Sequence, residues 1–214
     1  MTNTSAVGAA ALRDRLAAMG IAASVAEVYS SAVGVARYAV ERGWTEVYVV
    51  GLDGLRDELC GHGVAVTAEP SRAQALVVGF QPGFDPDTLP TGFDPGVAFV
   101  AANLDADYPA GDGERRPGAR ETVDRVVTRL GRPWDVCVGK PGTWLLECVE
   151  RDHGLSAAEV VVVGDNAASD VAMATAAGCR SVLIAPEGAA RGGASAVVAR
   201  LADVPAALDA LAAG

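Results

Sequence analysis

Short apolar runs alternate with segments of helical periodicity along most of this 214-residue chain. Glu46–Val50, Ala75–Val78 and the four valines of 160–163 are typical of strands that are buried on both faces. Between such runs, apolar residues recur at the spacing of a helix that buries one side. The alternation predicts a parallel α/β fold. We expect strands at residues 46–50, 64–66, 75–78, 97–100, 134–138, 160–163 and 181–184, and helices at 9–19, 25–40, 52–60, 121–130, 143–152, 167–177 and 205–211.

Residues 103–119 break this rhythm. Asp, Gly, Pro and Arg dominate the stretch, and neither the strand period nor the helix period is present. We expect a long loop there, and loops of this length inside a compact fold are often functional.

Composition and charge exclude two classes of partner. Half of the residues are hydrophobic, which favours a folded core, and the formal net charge is -10. Such a protein is not expected to bind nucleic acid or an anionic membrane. The apolar N-terminal stretch has no basic segment before it and is interrupted by Arg13, Asp14 and Arg15, so no signal peptide is predicted. We expect a cytoplasmic protein.

The polar residues 2–5, Thr-Asn-Thr-Ser, lead into the first predicted helix. Hydroxyl groups and unpaired backbone N–H groups at a helix N-terminus can cradle a phosphate. Taken alone, an ordinary helix cap is the commoner explanation of such a segment.

Lys140 follows the strand predicted at 134–138, between Gly139 and Pro141. A Lys at the carboxyl end of a parallel strand lies where open α/β sheets bind ligands, and its charge suits a phosphoryl oxygen. A solvated Lys in a turn would explain the same pattern.

Asp165 and Asp170 follow the valine run of 160–163. Two carboxylates at the mouth of a helix offer the hard oxygen ligands that Mg²⁺ prefers, although helix capping would also explain them. The buried strand that ends at Asp165 favours the metal interpretation.

Taken together and in this order, the three segments resemble the haloacid-dehalogenase superfamily, whose second, third and fourth motifs are Thr-Asn, Gly-Lys-Pro and Gly-Asp-x-x-x-Thr-Asp. Here Ser169 stands in place of the last Thr. The branch that fits is NagD-like and holds p-nitrophenyl, phosphoglycolate and pyridoxal phosphatases. Residues 29–32, 47–59, 75–80 and 102–118 are similar to parts of its cap domain, so the resemblance covers nearly the whole chain.

The resemblance implies two groups of site residues. Thr2 would be catalytic by hydrogen-bonding the phosphoryl group, while Asn3, Asn103 and Asp105 would bind the substrate, a small phosphorylated metabolite.

The second group would carry the charge chemistry. Lys140 would be catalytic by neutralising the phosphoryl charge, and Asp165 would ligate the implied cofactor, Mg²⁺. Asp170 would support the hydration shell of the metal and hold Lys140.

The resemblance also implies a fold: a Rossmann-like core of residues 1–22 and 131–214, with an α/β cap domain of residues 23–130 inserted. The first motif of the family, a strand ending in Asp-x-Asp-Gly, supplies the nucleophile and the general acid and base, and it would precede Thr2. We therefore expect a core without its N-terminal strands and unpaired edges at 134–138, 160–163 and 181–184. Another segment, or a further copy of the chain in a homo-oligomer, would cover those edges.

Three functions stay open on the sequence alone. The first is Mg²⁺-dependent hydrolysis of a small phosphate monoester within a longer natural chain. The second is a non-catalytic phosphate-binding or regulatory protein, and the third is a subunit whose core and nucleophile come from a partner chain.

Overall fold

The computed structural model describes residues 1–111, 113–186 and 190–213. Contacts between Cα atoms divide the chain into two compact units, Met1–Gly139 and Lys140–Gly214. The division into a core of residues 1–22 and 131–214 and a cap of 23–130 stays a prediction.

In its described residues, the first unit combines seven strands with four α-helices and a few single 3-10 turns. Its strands are β1 (Glu46–Val50), β2 (Ala65–Val66), β3 (Ala75–Val78), β4 (Ala98–Ala101), β5 (Asp107–Pro109), β6 (Arg115–Pro117) and β7 (Val136–Cys137). Its helices are α1 (Ala9–Ala18), α2 (Ser31–Glu41), α3 (Asp53–Gly61) and α4 (Ala119–Leu130).

Five of these strands form one parallel sheet in the order β2-β1-β3-β4-β7. β3 lies in the middle and is buried along its whole length, as its unbroken apolar sequence predicts. β5 and β6 form a separate antiparallel hairpin. The parallel α/β class predicted from the sequence is therefore confirmed.

The core of this unit lies between the sheet and α4. Val50, Leu76 and Phe99 come from three neighbouring strands and pack with Val123 and Val126 on the helix. All five side chains are buried, and each contributes about 1.5–3 kcal/mol of hydrophobic stabilisation. This packing fixes the carboxyl ends of β4 and β7, which lead into the residues of interest.

The predicted helix at 25–40 was wrong in its first third. The structure has a 3-10 turn at Val25–Glu27, and α2 begins at Ser31 after Ser30, whose side chain accepts a hydrogen bond from Val33 N at 3.2 Å. Val28 is extended (φ -101°, ψ 104°), so the chain cannot continue as a helix there. The apolar residues between Val25 and Ser30 have helical spacing although this segment is not an α-helix.

The predicted loop at 103–119 contains the β5–β6 hairpin, and α4 begins at Ala119, two residues before the predicted start. Arg115 donates to Asp107 across the hairpin, which pairs the two strands. The hairpin is exposed throughout and therefore carries no apolar alternation that a sequence pattern could show. Asp112, within the predicted loop, lies outside the described residues.

The second unit has a smaller parallel sheet in the order β10-β9-β8. A π-helical turn at Ala167–Val171 precedes its second α-helix. Its elements are α5 (Trp144–His153), β8 (Val161–Gly164), α6 (Ala172–Ala177), β9 (Arg180–Ile184), β10 (Ala196–Val198) and α7 (Val204–Ala212).

β8 is an edge strand of this sheet. Among the described residues it pairs with β9 and no other strand, as expected for the run at 160–163, and Val163 is 38% exposed despite its apolar side chain. The other face of β8 is covered, since Val162 packs with Leu146 and Met173. The expectation of an unpaired edge at 181–184 was wrong, because β9 is flanked by β8 and β10.

Within the part of the chain that the structure describes, no helix combines the length and the hydropathy that crossing a bilayer requires. The longest helix, α4, has 12 residues and spans about 18 Å, against about 30 Å of bilayer hydrocarbon. The cytoplasmic location stays a prediction.

Candidate functional site

The polar segment of residues 2–5 is held in an extended form at the start of α2. Thr2 N donates to Tyr29 O at 2.8 Å, Ser31 N donates to Thr2 O at 3.0 Å, and Thr2 makes a parallel bridge with Ser30. The hydroxyl of Thr2 accepts a hydrogen bond from Thr4 N at 3.4 Å. The backbone is thus fixed like a short strand, and Thr2 is only half-buried.

The helix predicted at 9–19 does begin at Ala9, but residues 2–5 do not cap it. Three residues intervene, and Gly8, which precedes α1, has no side chain to cap it. Glu58 of α3 takes that role, because its Oε1 accepts a hydrogen bond from Ala9 N at 2.5 Å. A carboxylate also suits the positive end of the helix dipole. A phosphate would therefore compete with Glu58 for that donor.

Asn3, Asn103 and Asp105 form one buried hydrogen-bonded network. Asn3 Nδ2 donates to Asp105 Oδ1 at 2.8 Å, and Asn103 Nδ2 donates to Asn3 O at 2.6 Å. Ser31 Oγ also donates to Asn3 O, at 2.7 Å. Asn3 is 6% and Asn103 is 2% exposed, so both side-chain amides form hydrogen bonds inside the protein that hold the segment in place. The network ties residues 2–5 to the carboxyl end of β4.

Gly139, after β7, is needed for this network to form. A Cβ placed there would lie 2.7 Å from Asn3 Oδ1 and 2.7 Å from Ala102 O, closer than any real contact. The neighbouring strand residue Cys137 is shielded, and burial raises the pKa of its thiol to about 11. Cys137 is therefore a packed side chain rather than a nucleophile.

A cavity of about 440 Å³ opens on the polar segment. The predicted residues Thr2, Asn3, Asn103 and Asp105 all line it. Its other walls come from five stretches of the first unit: Thr4, Ser5, Ala6, Arg15, Phe80, Tyr108, Pro109, Gly118 and Ala119. The volume lies in the range of small-molecule sites.

Three of the lining residues that were not predicted as site residues add new chemistry to the cavity. Phe80 stacks edge-to-face on Tyr108, with ring centroids 5.3 Å apart, and makes an aromatic wall. Arg15, in the last turn of α1, supplies a positive charge. No local pattern in the sequence could have assigned these side chains to the cavity.

The second unit contains an ion pair between Lys140 and Asp170. Lys140 Nζ lies 2.6 Å from Asp170 Oδ1, and the side chains are 11% and 9% exposed. Asp170 Oδ2 also accepts a hydrogen bond from Asn166 N at 3.2 Å. Lys140, the only lysine in the sequence, is therefore held by a carboxylate that is itself fixed. The structure brings together these two predicted residues.

Asp165 follows β8 and lies just before the π-helical turn. It is exposed, and its carboxylate has no hydrogen-bond or ion-pair partner among the described residues. The turn is capped by Asn166, which accepts from Ala168 N at 2.9 Å, so Asp165 is not the cap. Asp170 is turned back toward Gly164, where a Cβ would lie 2.3 Å from its carboxyl group. The carboxylate of Asp165 is thus exposed to solvent, whereas that of Asp170 is buried and paired with Lys140.

These residues do not form a self-contained metal site. In residues 1–111, 113–186 and 190–213, no group of three or more His, Cys, Asp or Glu side chains could hold a metal ion. Asp165 offers one carboxylate, while Asp170 is committed to Lys140. Mg²⁺ commonly keeps several waters and takes one or two carboxylates plus phosphate oxygens. The donor set therefore fits only a Mg²⁺ ion that a bound phosphate also ligates.

Fold and polar groups define the class of protein. In the first unit, Asn103 and Gly139 follow the carboxyl ends of β4 and β7, and in the second unit Asp165 follows that of β8, positions at which α/β proteins bind their ligands. The first unit supplies hydroxyls and amides and the second unit supplies Lys140 and two carboxylates, and each set suits a phosphorylated ligand.

Several known proteins are similar to this chain in sequence and in fold. The profile of the HAD-hydrolase-like family matches residues 137–210. The sugar-phosphatase AraL of Bacillus subtilis is 32% identical over 201 residues, covering 90% of this chain and 72% of AraL. Chronophin of Mus musculus is 31% identical over 183 residues, covering 79% of this chain and 62% of chronophin. The structure of a p-nitrophenyl phosphatase from Archaeoglobus fulgidus superposes with a TM-score of 0.82 at 27% identity, covering 96% of this chain and 84% of that one.

The chain belongs to the haloacid-dehalogenase superfamily, in its NagD-like branch. The resemblance seen in the sequence is thereby confirmed. The chain spans less than two thirds of the length of mouse chronophin.

Proposed function

We propose that this chain carries the phosphate-binding parts of a phosphatase that acts on small phosphate monoesters with the help of Mg²⁺. The observation that carries the proposal is the buried pair of Lys140 and Asp170, 2.6 Å apart, with the unpartnered carboxylate of Asp165 in the same unit. A buried Lys fixed by a carboxylate is a preorganised positive charge. Phosphoryl transfer depends mainly on such positioning and charge neutralisation.

Each residue of this unit has one proposed role. Lys140 neutralises charge on the phosphoryl oxygens, and Asp170 orients its ammonium group. Asp165 supplies the protein ligand for Mg²⁺, whose contribution when bound is to offset phosphoryl charge. Because one carboxylate is a weak Mg²⁺ site, we expect metal and phosphate to bind better together than apart.

Thr2 and Asn3 have the corresponding roles in the first unit. The half-buried hydroxyl of Thr2 is proposed to donate to a phosphoryl oxygen, and Asn3 fixes the backbone around it. The cavity lined by Asn103 and Asp105 is proposed to accept the organic part of the substrate, a small phosphorylated metabolite.

The 214-residue chain is proposed to bind without turnover. The sequence contains no Asp-x-Asp-Gly, which supplies the nucleophile and the acid-base group of the family mechanism. The first experiment is hydrolysis of p-nitrophenyl phosphate with Mg²⁺ and with a chelator. Chelator-sensitive turnover that Asp165→Ala abolishes would contradict this part and show that another group attacks phosphorus.

Binding is tested separately through Lys140. Since it is the only lysine, acylation at high reagent excess, read by peptide mass spectrometry, reports on one side chain apart from the N-terminus. Inorganic phosphate with Mg²⁺ should slow the acylation several-fold, and Asp165→Asn should weaken that protection. Acylation at an unchanged rate in saturating phosphate would refute the phosphate site.

A second function is favoured by the edge of β8. Val163 is 38% exposed although it belongs to a run of four consecutive valines, 160–163, which is an unusual exposure for a parallel sheet. This favours a subunit that another strand completes, from a homo-oligomer or a partner chain. Light scattering of the purified chain tests it, and a stable monomer at micromolar concentration would leave the non-catalytic phosphate-binding protein as the alternative.

A further inference from the structure

Asn166 lies between the two acidic residues of the second unit, and most of its hydrogen bonds bear on Asp170. Its backbone O accepts hydrogen bonds from Asp170 N at 2.8 Å and from Ser169 N at 3.3 Å. Its backbone N donates to Asp170 Oδ2 at 3.2 Å. The main chain and the carboxylate of Asp170 are therefore both tied to one residue, which is exposed and stands outside the ion pair with Lys140.

The side chain of Asn166 fixes the direction of its own backbone N–H group. Asn166 Oδ1 accepts a hydrogen bond from Ala168 N at 2.9 Å, which caps the π-helical turn at Ala167–Val171. An Asn side chain that bonds to the backbone two residues on holds its own main chain in place, here extended at φ -120° and ψ 108°. Without this bond the main chain of Asn166 can rotate, and its N–H can leave Asp170.

The carboxylate of Asp170 has one position open to it once Asn166 is fixed. Oδ2 is held by Asn166 N, so Oδ1 is presented to Lys140 Nζ at 2.6 Å. The carboxyl group also lies against Gly164, where a Cβ would come within 2.3 Å of it. Asp170 is 6% exposed, so water has little access to replace either partner. A rotation of the turn would therefore weaken the contact with Lys140.

We propose that Asn166 is the positioning residue for Lys140. By capping the π-helical turn, it directs one oxygen of Asp170 to the lysine and leaves the neighbouring Asp165 exposed and uncommitted. This inference rests on the proposed function in one respect, since the use of a positioned Lys140 is to neutralise phosphoryl charge. Asn166 acts through Asp170 and has no contact with the phosphoryl group in this role.

The test measures acylation of Lys140 in the 214-residue chain without phosphate or Mg²⁺, by peptide mass spectrometry. Acylation requires the uncharged amine, and a carboxylate bonded to the ammonium group favours the charged form. Asp170→Asn removes that carboxylate and sets the upper limit of the rate. Asn166→Ala should raise the rate about fivefold toward this limit, the change expected when one helix cap is lost. Asn166→Ser keeps a capping oxygen and should return the rate to within about twofold of the parent chain.

Ser156→Ala is the matched control in the same unit. Ser156 caps another short turn, and its side chain is bonded to Glu159 rather than to either member of the ion pair. This variant should leave the acylation rate of Lys140 unchanged. An unchanged rate in Asn166→Ala, or an equal rise in Ser156→Ala, would overturn the role of Asn166.

Two further results keep this inference separate from folding and from phosphate binding. If Asn166→Ala does not fold, hydrogen exchange in the parent chain decides: the backbone amides of Asn166 and Ala168 should be protected, and free exchange of both would overturn the proposal. If phosphate does not slow acylation of the parent chain, the proposed function fails. The rates of the variants, measured without phosphate, still decide the role of Asn166.

Discussion

The ion pair of Lys140 and Asp170 gives the sharpest test of the structure. In Lys140→Met the carboxylate of Asp170 keeps its bond from Asn166 N but loses its cationic partner at 2.6 Å. Both side chains are about nine-tenths buried, so water cannot replace that partner. Removing one member of a buried pair costs about 3–5 kcal/mol. This is a large part of the stability of an ordinary domain, about 5–15 kcal/mol.

The assay is urea unfolding followed by far-ultraviolet circular dichroism, with the slope of the transition checked for each variant. Arg200→Met is the control in the same unit, since its pair with Asp203 is exposed (75% and 39%) and should contribute little to stability. The double variant Lys140→Met/Asp170→Asn should lose less than the sum of the two single variants, with a coupling of about 1–3 kcal/mol. If Lys140→Met is no more destabilising than Arg200→Met, the pair is not buried as described and the proposed preorganisation of Lys140 is wrong.

Three further predictions concern the first unit. Glu58→Ala should destabilise the chain by about 1 kcal/mol, because α1 loses the carboxylate that caps it; thermal melting checks this, and an unchanged midpoint would contradict it. Asn103→Ala should lower the free energy of unfolding by about 2–3 kcal/mol, since it removes the buried donor to Asn3 O and leaves Asp105 N without its acceptor. A change of less than about 0.5 kcal/mol in urea unfolding, which is the usual effect of a surface substitution, would refute this prediction. Iodoacetamide at pH 8 should modify the exposed Cys60 well before Cys137, whose rate should keep rising with pH toward the thiol pKa of about 11; equal rates in peptide mass spectra would show that Cys137 is not buried.

Strands that are marked by their own apolar residues could be predicted from the sequence, whereas elements that depend on contacts between residues distant in the chain could not. β1 and β3 have the predicted bounds: β3 is an unbroken apolar run that is buried on both faces of the parallel sheet, and in β1 three buried valines stand beside the half-buried Glu46 and Tyr48. The β5–β6 hairpin was missed because its strands are exposed on both faces and are positioned by backbone pairing and by the close approach at Gly118, where a Cβ would lie 2.2 Å from Asp105 O. Such a close approach can be seen in the structure, but it produces no periodic pattern of apolar residues in the sequence.

The candidate site divides in the same way. The order and spacing of the motifs predicted Lys140 and Asp170, and the family resemblance implied the pairing that the structure shows at 2.6 Å. The position of Glu58 at the start of α1 and that of Arg15 at the cavity depend on how the helices pack, which no motif encodes.

Gly139 shows why the motif and the fold have to be considered together. In the sequence it is the residue before Lys140, and a turn would explain it. In the structure it is the point where the end of β7 passes so close to Asn3 that a methyl group would displace the amide from its bond to Asp105. The same glycine therefore ends the strand that leads to the lysine and leaves room for the network that fixes residues 2–5. A substitution there would disturb the polar segment through Asn3, so loss of ligand binding in Gly139→Ala, with the acylation rate of the adjacent Lys140 unchanged in the absence of phosphate, would be evidence for positioning rather than for contact.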